Sequence, residues 1–282
     1  MNMNNVVISA ALTGGGRVAS KGSQENRPIT PEAIAKDVVA CAKAGAAICH
    51  IHTRDENGVG TMNLERTTLV YETIQAAVKE AGVDVIINLT TSGGSNDSNL
   101  RVAHLKALRP EMCSYDAGTI NWSNDKVFMN SPEFLIQLGQ VTMEYGVKPE
   151  IEVFDTHMIK SAIRFQQRGF LAAPLHFQLV MGTYGGMDGT VDNLVYLRNM
   201  LPEGSTWSVT GIGPSSLPML YAGLAMGADG IRVGLEDNLY MAKGVPSTNV
   251  QQVERAVKLV ELANRKVATA AEARELLHFP KR

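Results

Sequence analysis

Short apolar runs alternate with amphipathic segments along nearly the whole chain, and this alternation limits the fold more than any other feature of the sequence. The strand patterns fall at Val6–Ala11, Ala47–His52, Val85–Thr90, Met112–Tyr115, Glu150–Phe154, Leu175–Met181, Thr206–Thr210 and Gly230–Val233. Helical patterns separate them at Pro31–Ala44, Leu64–Ala81, Asn99–Leu108, Pro132–Tyr145, His157–Arg168, Val191–Met200, Ser215–Met226 and Val250–Asn264, with a short last helix near Ala270–Leu277. Thr30-Pro31-Glu32 offers an N-cap followed by proline at the first helical position, and Gly45 offers the stop. Eight strand–helix units with no interrupting linker predict a closed (β/α)8 TIM barrel. Residues 1–282 are then a single α/β domain with a short C-terminal helical extension.

That fold puts functional groups at the C-terminal ends of the strands. The second strand ends in His50-Ile51-His52. Side chains alternate across a strand, so Ile48, His50 and His52 share one face and Cys49 and Ile51 the other. Two same-face imidazoles can reach one divalent ion, and a carboxylate from elsewhere would complete an open site of two histidines and one carboxylate. Arg232-Val233-Gly234-Leu235-Glu236-Asp237 follows the eighth strand. Glu236 is the candidate third ligand, which leaves Asp237 to pair with Arg232. Other strand ends carry Thr13 to Gly16, Thr90 to Gly94, Ser114 with Asp116, and Glu152 with Asp155. If Ile151 and Val153 face the helices, Glu152 points into the barrel, where an unpaired carboxylate is costly. His176 lies inside the sixth strand pattern and is expected to be a hydrogen-bonded core residue.

The 26 basic and 28 acidic residues leave a formal charge of −2, and no basic surplus points to nucleic acid. The N-terminal residues lack the pattern of a signal peptide, and no apolar run approaches the roughly 20 residues of a membrane span. A cytoplasmic protein is expected. Cys41, Cys49 and Cys113 are odd in number and lack CxxC spacing, which argues against a disulfide framework or a thiolate metal site.

Several separated motifs, Ala10-Ala11-Leu12-Thr13-Gly14, His50-Ile51-His52-Thr53-Arg54-Asp55, Gly185-Gly186-Met187, Gly211-Ile212-Gly213 and Arg232 through Asn238, resemble those of the β-keto acid cleavage enzymes. The resemblance runs from about Val6 to Leu277 in the order and spacing of the barrel reading. It implies a zinc-dependent reaction in which a β-keto acid and the co-substrate acetyl-CoA give acetoacetate and a new acyl-CoA. It also implies a homo-oligomer, a tetramer. By motif, His50, His52 and Glu236 match the metal ligands, Arg232 and Asp237 the pair assigned to proton abstraction, and Thr90 and Ser114 hydroxyls that hold the substrate. The backbone of Ser92, Gly93 and Gly94, with these hydroxyls, is placed to bind developing oxyanions, and Glu152 is a further pocket residue.

One departure bears on the substrate. The family member that cleaves 3-keto-5-aminohexanoate has a glutamate two residues after the first-strand Thr-Gly. Here that position is Gly16, followed by Arg17. A substrate whose far end is neutral or anionic, rather than an ammonium, is therefore expected. A different class also fits part of the pattern: metal-dependent amidohydrolase barrels combine His-x-His with further histidines and a strand-eight acid, roles open to His157, His176 and Asp237. Those enzymes turn over without CoA.

Overall fold

The computed structural model describes residues 5–15, 26–93 and 96–281. Gly16, Arg17 and Gly94 lie outside the described residues. Eight parallel strands form the barrel: β1 (Asn5–Ala11), β2 (Ile48–Ile51), β3 (Ile86–Leu89), β4 (Met112–Asp116), β5 (Lys148–Val153), β6 (His176–Met181), β7 (Thr206–Gly211) and β8 (Gly230–Val233). Each strand pairs with the next, and β8 returns to β1 with Ile8 opposite Ile231 and Ser9 opposite Arg232, closing the sheet.

The helices are α1 (Pro31–Ala44), α2 (Leu64–Ala81), α3 (Ser98–Leu108), α4 (Pro132–Tyr145), α5 (Thr156–Gln167), α6 (Val191–Met200), α7 (Ser216–Ala225), α8 (Asn249–Leu262) and α9 (Ala270–Leu276). Their starts follow from local chemistry. Thr30 accepts from Ala33 N at the start of α1, with Pro31 at the first turn, and Gly45 takes the left-handed conformation at its end. Thr248 and Gln251 close a capping box on α8.

Alternate strand residues divide between two environments. Ile8, Ala10, Cys49, Ile51, Ile87, Leu89, Cys113, Tyr115, Ile151 and Val153 belong to the shell between the strands and the helices. The inward positions are apolar only at the foot, where Val7, Ile48, Ile86 and Met112 pack with Ala270, Ala273 and Leu277 of the C-terminal segment. Above that plug the interior is polar and buried: His50, Asn88, Ser114, Glu150, Glu152, Gln178, Ser208, Thr210 and Arg232. Two hairpins that the sequence pattern does not predict leave the mouth, Ile120–Ser123 with Lys126–Phe128 and Tyr240–Ala242 with Val245–Pro246.

Candidate active site

The loop after β8 brings the third candidate ligand to the histidines. Gly234 adopts φ 134°, a conformation that L residues rarely adopt, and a side chain there would run into the Ala11 carbonyl. The chain then bends over β1, where Glu236 N donates to Ala11 O at 3.1 Å. Gly14, also at positive φ, lies against the Glu236 side chain. Glu236 Oε1 consequently sits 3.7 Å from His50 Nε2 and 3.4 Å from His52 Nε2. One potential ligand atom from each of the three residues falls within 4.8 Å of the others.

Arg232 lies fully buried below this group and binds more acids than the sequence suggests. Its Nε meets Asp237 Oδ2 at 2.9 Å, its Nη1 meets Glu152 Oε1 at 2.8 Å, and its Nη2 meets Glu236 Oε1 at 2.8 Å. Glu150 Oε2 is 3.8 Å from Nη1. Asp237 therefore does pair with Arg232, but it shares that guanidinium with Glu236 and Glu152. Thr210 Oγ1 adds a 3.0 Å hydrogen bond to Asp237 Oδ2. Glu152 points inward, as its alternation predicts, and its carboxylate meets a charge there.

The electrostatics favour a cation. Glu150, Glu152, Glu236 and Asp237 surround the Arg232 guanidinium, so carboxyl groups outnumber the positive charge facing them. Burial, with Glu152 next in importance, pushes Glu150 up to about 8. Burial likewise raises Asp116 well above the usual carboxylate range, with the neighbouring Glu152 adding to it. Glu236 goes the other way: burial pushes it up, but His52, His50 and Arg232 together hold it well below its ordinary value. Burial lowers His50 to about 3, leaving a neutral ring with a free lone pair. Glu236 Oε2 and the Nδ1 atoms of both histidines are buried without a partner. Neutral imidazoles and an ionised carboxylate with an orphaned oxygen are what a divalent ion requires, so these residues fit one.

Asp237 is raised by burial against the pull of Arg232. Once ionised, a carboxylate raised in this way is a stronger proton acceptor than one in water. Thr90 Oγ1 donates to Ser92 O at 3.0 Å and accepts from Ser92 N at 3.0 Å, which folds the β3 end into a tight turn at the mouth. Ser114 Oγ accepts from Thr91 N at 3.0 Å, tying β3 to β4. Gly93 has φ 149°.

Some expected site groups are placed elsewhere. Asp155 caps α5 and contacts the exposed His157 at 3.7 Å. His176 is the first residue of β6, at the foot, where Nδ1 lies 3.0 Å from Thr206 Oγ1 and Nε2 lies 3.4 Å from Ser208 Oγ. That is the hydrogen-bonded core role expected of it, and it separates His157 and His176 from the histidine pair that an amidohydrolase arrangement would need them to join. Other residues support the site without having been assigned a role from the sequence. Buried Arg54 donates to Thr13 Oγ1 at 3.0 Å and to the carbonyls of Thr13, Gly14 and Gly58, which fixes the β1 loop. Arg101 holds the Thr91 carbonyl at 2.6 Å. Asn88 donates to Glu150 Oε2 at 2.7 Å.

Fold and site together define a TIM-barrel enzyme with an acid–imidazole centre at the C-terminal mouth. The chain belongs to the beta-keto acid cleavage enzyme family, whose model matches residues 5–279. It is 38% identical over 283 residues to 3-keto-5-aminohexanoate cleavage enzyme of Fusobacterium nucleatum subsp. nucleatum, an alignment that covers 99% of this chain and 100% of that one. It is 35% identical over 305 residues to 3-dehydrocarnitine:acetyl-CoA trimethylamine transferase of Rhizobium meliloti, covering 100% and 99% of the two chains. A solved ternary complex of ObcA with C4-CoA adduct and oxalate has the same fold, with a TM-score of 0.75 and 23% identity over 90% of this chain and 68% of that one. Among the described residues, no helix is long and apolar enough to cross a membrane.

Proposed function

We propose that this enzyme condenses a β-keto acid with acetyl-CoA to give acetoacetate and a new acyl-CoA, and that His50, His52 and Glu236 hold a divalent ion, zinc, for that reaction. The observation that carries this reading is the contact of Glu236 Oε1 with both imidazole Nε2 atoms directly above the Arg232–Asp237 pair. When bound, the ion supplies Lewis acidity toward the keto and carboxylate oxygens of a β-keto acid.

The chain's own groups then have separate tasks. Asp237, oriented by Arg232 and Thr210, takes a proton from the carbon between the two carbonyls. That carbon attacks the acetyl thioester and the CoA thiolate leaves. The thiolate then adds to the original keto carbon, the carbon–carbon bond breaks to release the new acyl-CoA, and Asp237 returns its proton to the carbanion left behind, which gives acetoacetate. Ser114, the Gly93 backbone and Thr90, which exchanges its contact with Ser92 O for the substrate, donate to oxygens that gain charge in these steps. Glu152 keeps the Arg232 guanidinium from swinging toward the substrate. The tetramer implied by the family resemblance belongs to the same reading, and light scattering on the purified protein checks it.

The deciding experiment incubates the enzyme with a panel of β-keto acids, with and without acetyl-CoA, and measures acetoacetate and acyl-CoA together. Stoichiometric formation of both, only with acetyl-CoA, is expected. Consumption of the keto acid at the same rate without CoA would place the chain among hydrolases.

A further inference from the structure

Two polar side chains in the barrel interior, Asn88 and Glu150, have no task in the chemistry described above. His50 and Asn88 are register partners on β2 and β3. Ser114 and Glu150 are partners on β4 and β5. Asn88 Nδ2 donates to Glu150 Oε2 at 2.7 Å, which turns Asn88 Oδ1 away from that carboxylate. Asn88 Oδ1 and His50 Nδ1 are both buried without a partner, on neighbouring inward positions. Strands in a sheet lie ~4.7–4.9 Å apart, so a small side-chain adjustment brings the two atoms together. His50, Glu150 and Glu152 also present clustered ligand-type atoms, but the Arg232 guanidinium lies 2.8 Å from Glu152 and 3.8 Å from Glu150, so that space already holds a cation.

We propose that Asn88 and Glu150 are positioning residues: His50 donates its Nδ1–H to Asn88 Oδ1, and Glu150 anchors the Asn88 amide, so that the Nε2 lone pair faces Glu236 and the metal site. This rests on the reading of His50 as a metal ligand. A neutral imidazole carries one N–H, and committing it at Nδ1 leaves Nε2 as the only lone pair. Asparagine suits the position because one amide both accepts from the ring and donates to the carboxylate. Partners of this kind fix the tautomer and orientation of a ligating histidine. Because Glu150 also lies beside Arg232, the same chain of contacts ties the ligand geometry to the Asp237 pocket.

The test measures zinc affinity by chelator competition on wild type, Asn88→Leu and Asn88→Asp, with melting temperatures alongside. Asn88→Leu, of similar size but without an acceptor, should weaken zinc binding by about 10–100-fold. Asn88→Asp keeps an acceptor for His50 but loses the donor to Glu150, so it should weaken zinc binding by less than Asn88→Leu does. Independently of any variant's folding, 15N NMR of histidine-labelled, zinc-loaded wild type should show His50 protonated at Nδ1. An Nε2–H tautomer at His50, or an Asn88→Leu protein that binds zinc as tightly as wild type, overturns the inference while leaving the metal reading intact. A wild type that binds no divalent ion overturns both.

Discussion

Both ends of the barrel interior bury histidine, but the two ends treat it differently. At the foot, His176 finds Thr206 and Ser208 for its two ring nitrogens, above an apolar plug that includes Leu277. At the mouth, His50 and His52 each leave Nδ1 unpaired, and their Nε2 atoms converge on one carboxylate oxygen. Burying a polar atom without a partner costs roughly 1–3 kcal/mol, so a fold retains such atoms where a ligand or a nearby group completes them. Inside the barrel, satisfaction rather than burial separates His176 from the functional pair.

The contrast breaks most visibly if the mouth is dismantled. Glu236→Ala or His50→Ala should lose stoichiometric metal and lower turnover by ~1,000-fold or more, because Lewis-acid catalysis contributes several kcal/mol. Metal analysis with steady-state kinetics checks this, and full metal retention by both variants would remove the assignment. Asp237→Asn is the next test. It keeps the size and, through its one remaining oxygen, the contacts from Arg232 Nε and Thr210, but it cannot accept a proton. It should retain its metal and lose about 100–10,000-fold in kcat. Loss of metal with normal turnover per bound ion would mean that Glu236 and Asp237 exchange roles.

Much of the scaffold was legible in the sequence. All eight predicted strands and all nine predicted helices occur, several with identical ends, because parallel strands and amphipathic helices write distinct periods into the chain. His50, His52, Glu236, Arg232 and Asp237 came to notice because they end strands. Asn88 and Glu150 did not, since a single polar residue in a short strand only becomes meaningful when the neighbouring strand's register is known. Asp155 shows a second limit: a strand-end acid can be drawn into capping the next helix, which its position in the sequence alone does not reveal. The 120–128 hairpin was hidden because its strands are short and mostly exposed, and Trp122 packs edge-on against Phe128 and Phe154 only after the chain has turned back.

The foot makes a prediction of its own. Burial lowers His176 to about 3, with Lys148 contributing, from an ordinary value of 6.5. The unfolded chain therefore takes up the proton first as pH falls. The stability tied to neutral His176 is fully present above about pH 6.5 and is lost progressively toward pH 3. Between pH 7 and pH 5 wild type should lose about 2 kcal/mol more stability than His176→Gln. Urea unfolding at both pH values measures this, and the variant should keep turnover within about threefold at pH 7. Parallel pH profiles for the two proteins would show that the foot histidine is not held neutral as described.

The smallest expected effect concerns the substrate's far end, where the mouth is again compared with its surroundings. Gly16 and Arg17 replace an acid with a basic residue in the sequence, although both lie outside the described residues. Within them, Arg27 stands half-buried, its Nε donating to Leu235 O at 3.1 Å, and Glu236 and Asp237 are the acids that act on its charge. A half-buried guanidinium attracts a carboxylate and repels an ammonium. β-Keto acids with a neutral or carboxylate far end should therefore give kcat/KM about tenfold above that for 3-keto-5-aminohexanoate. Arg27→Ala should narrow the gap by lowering the dicarboxylic value while leaving the neutral one unchanged. If wild type instead prefers the amino substrate, the negative interior, with Glu152 and its neighbouring acids, outweighs these basic residues in choosing the substrate.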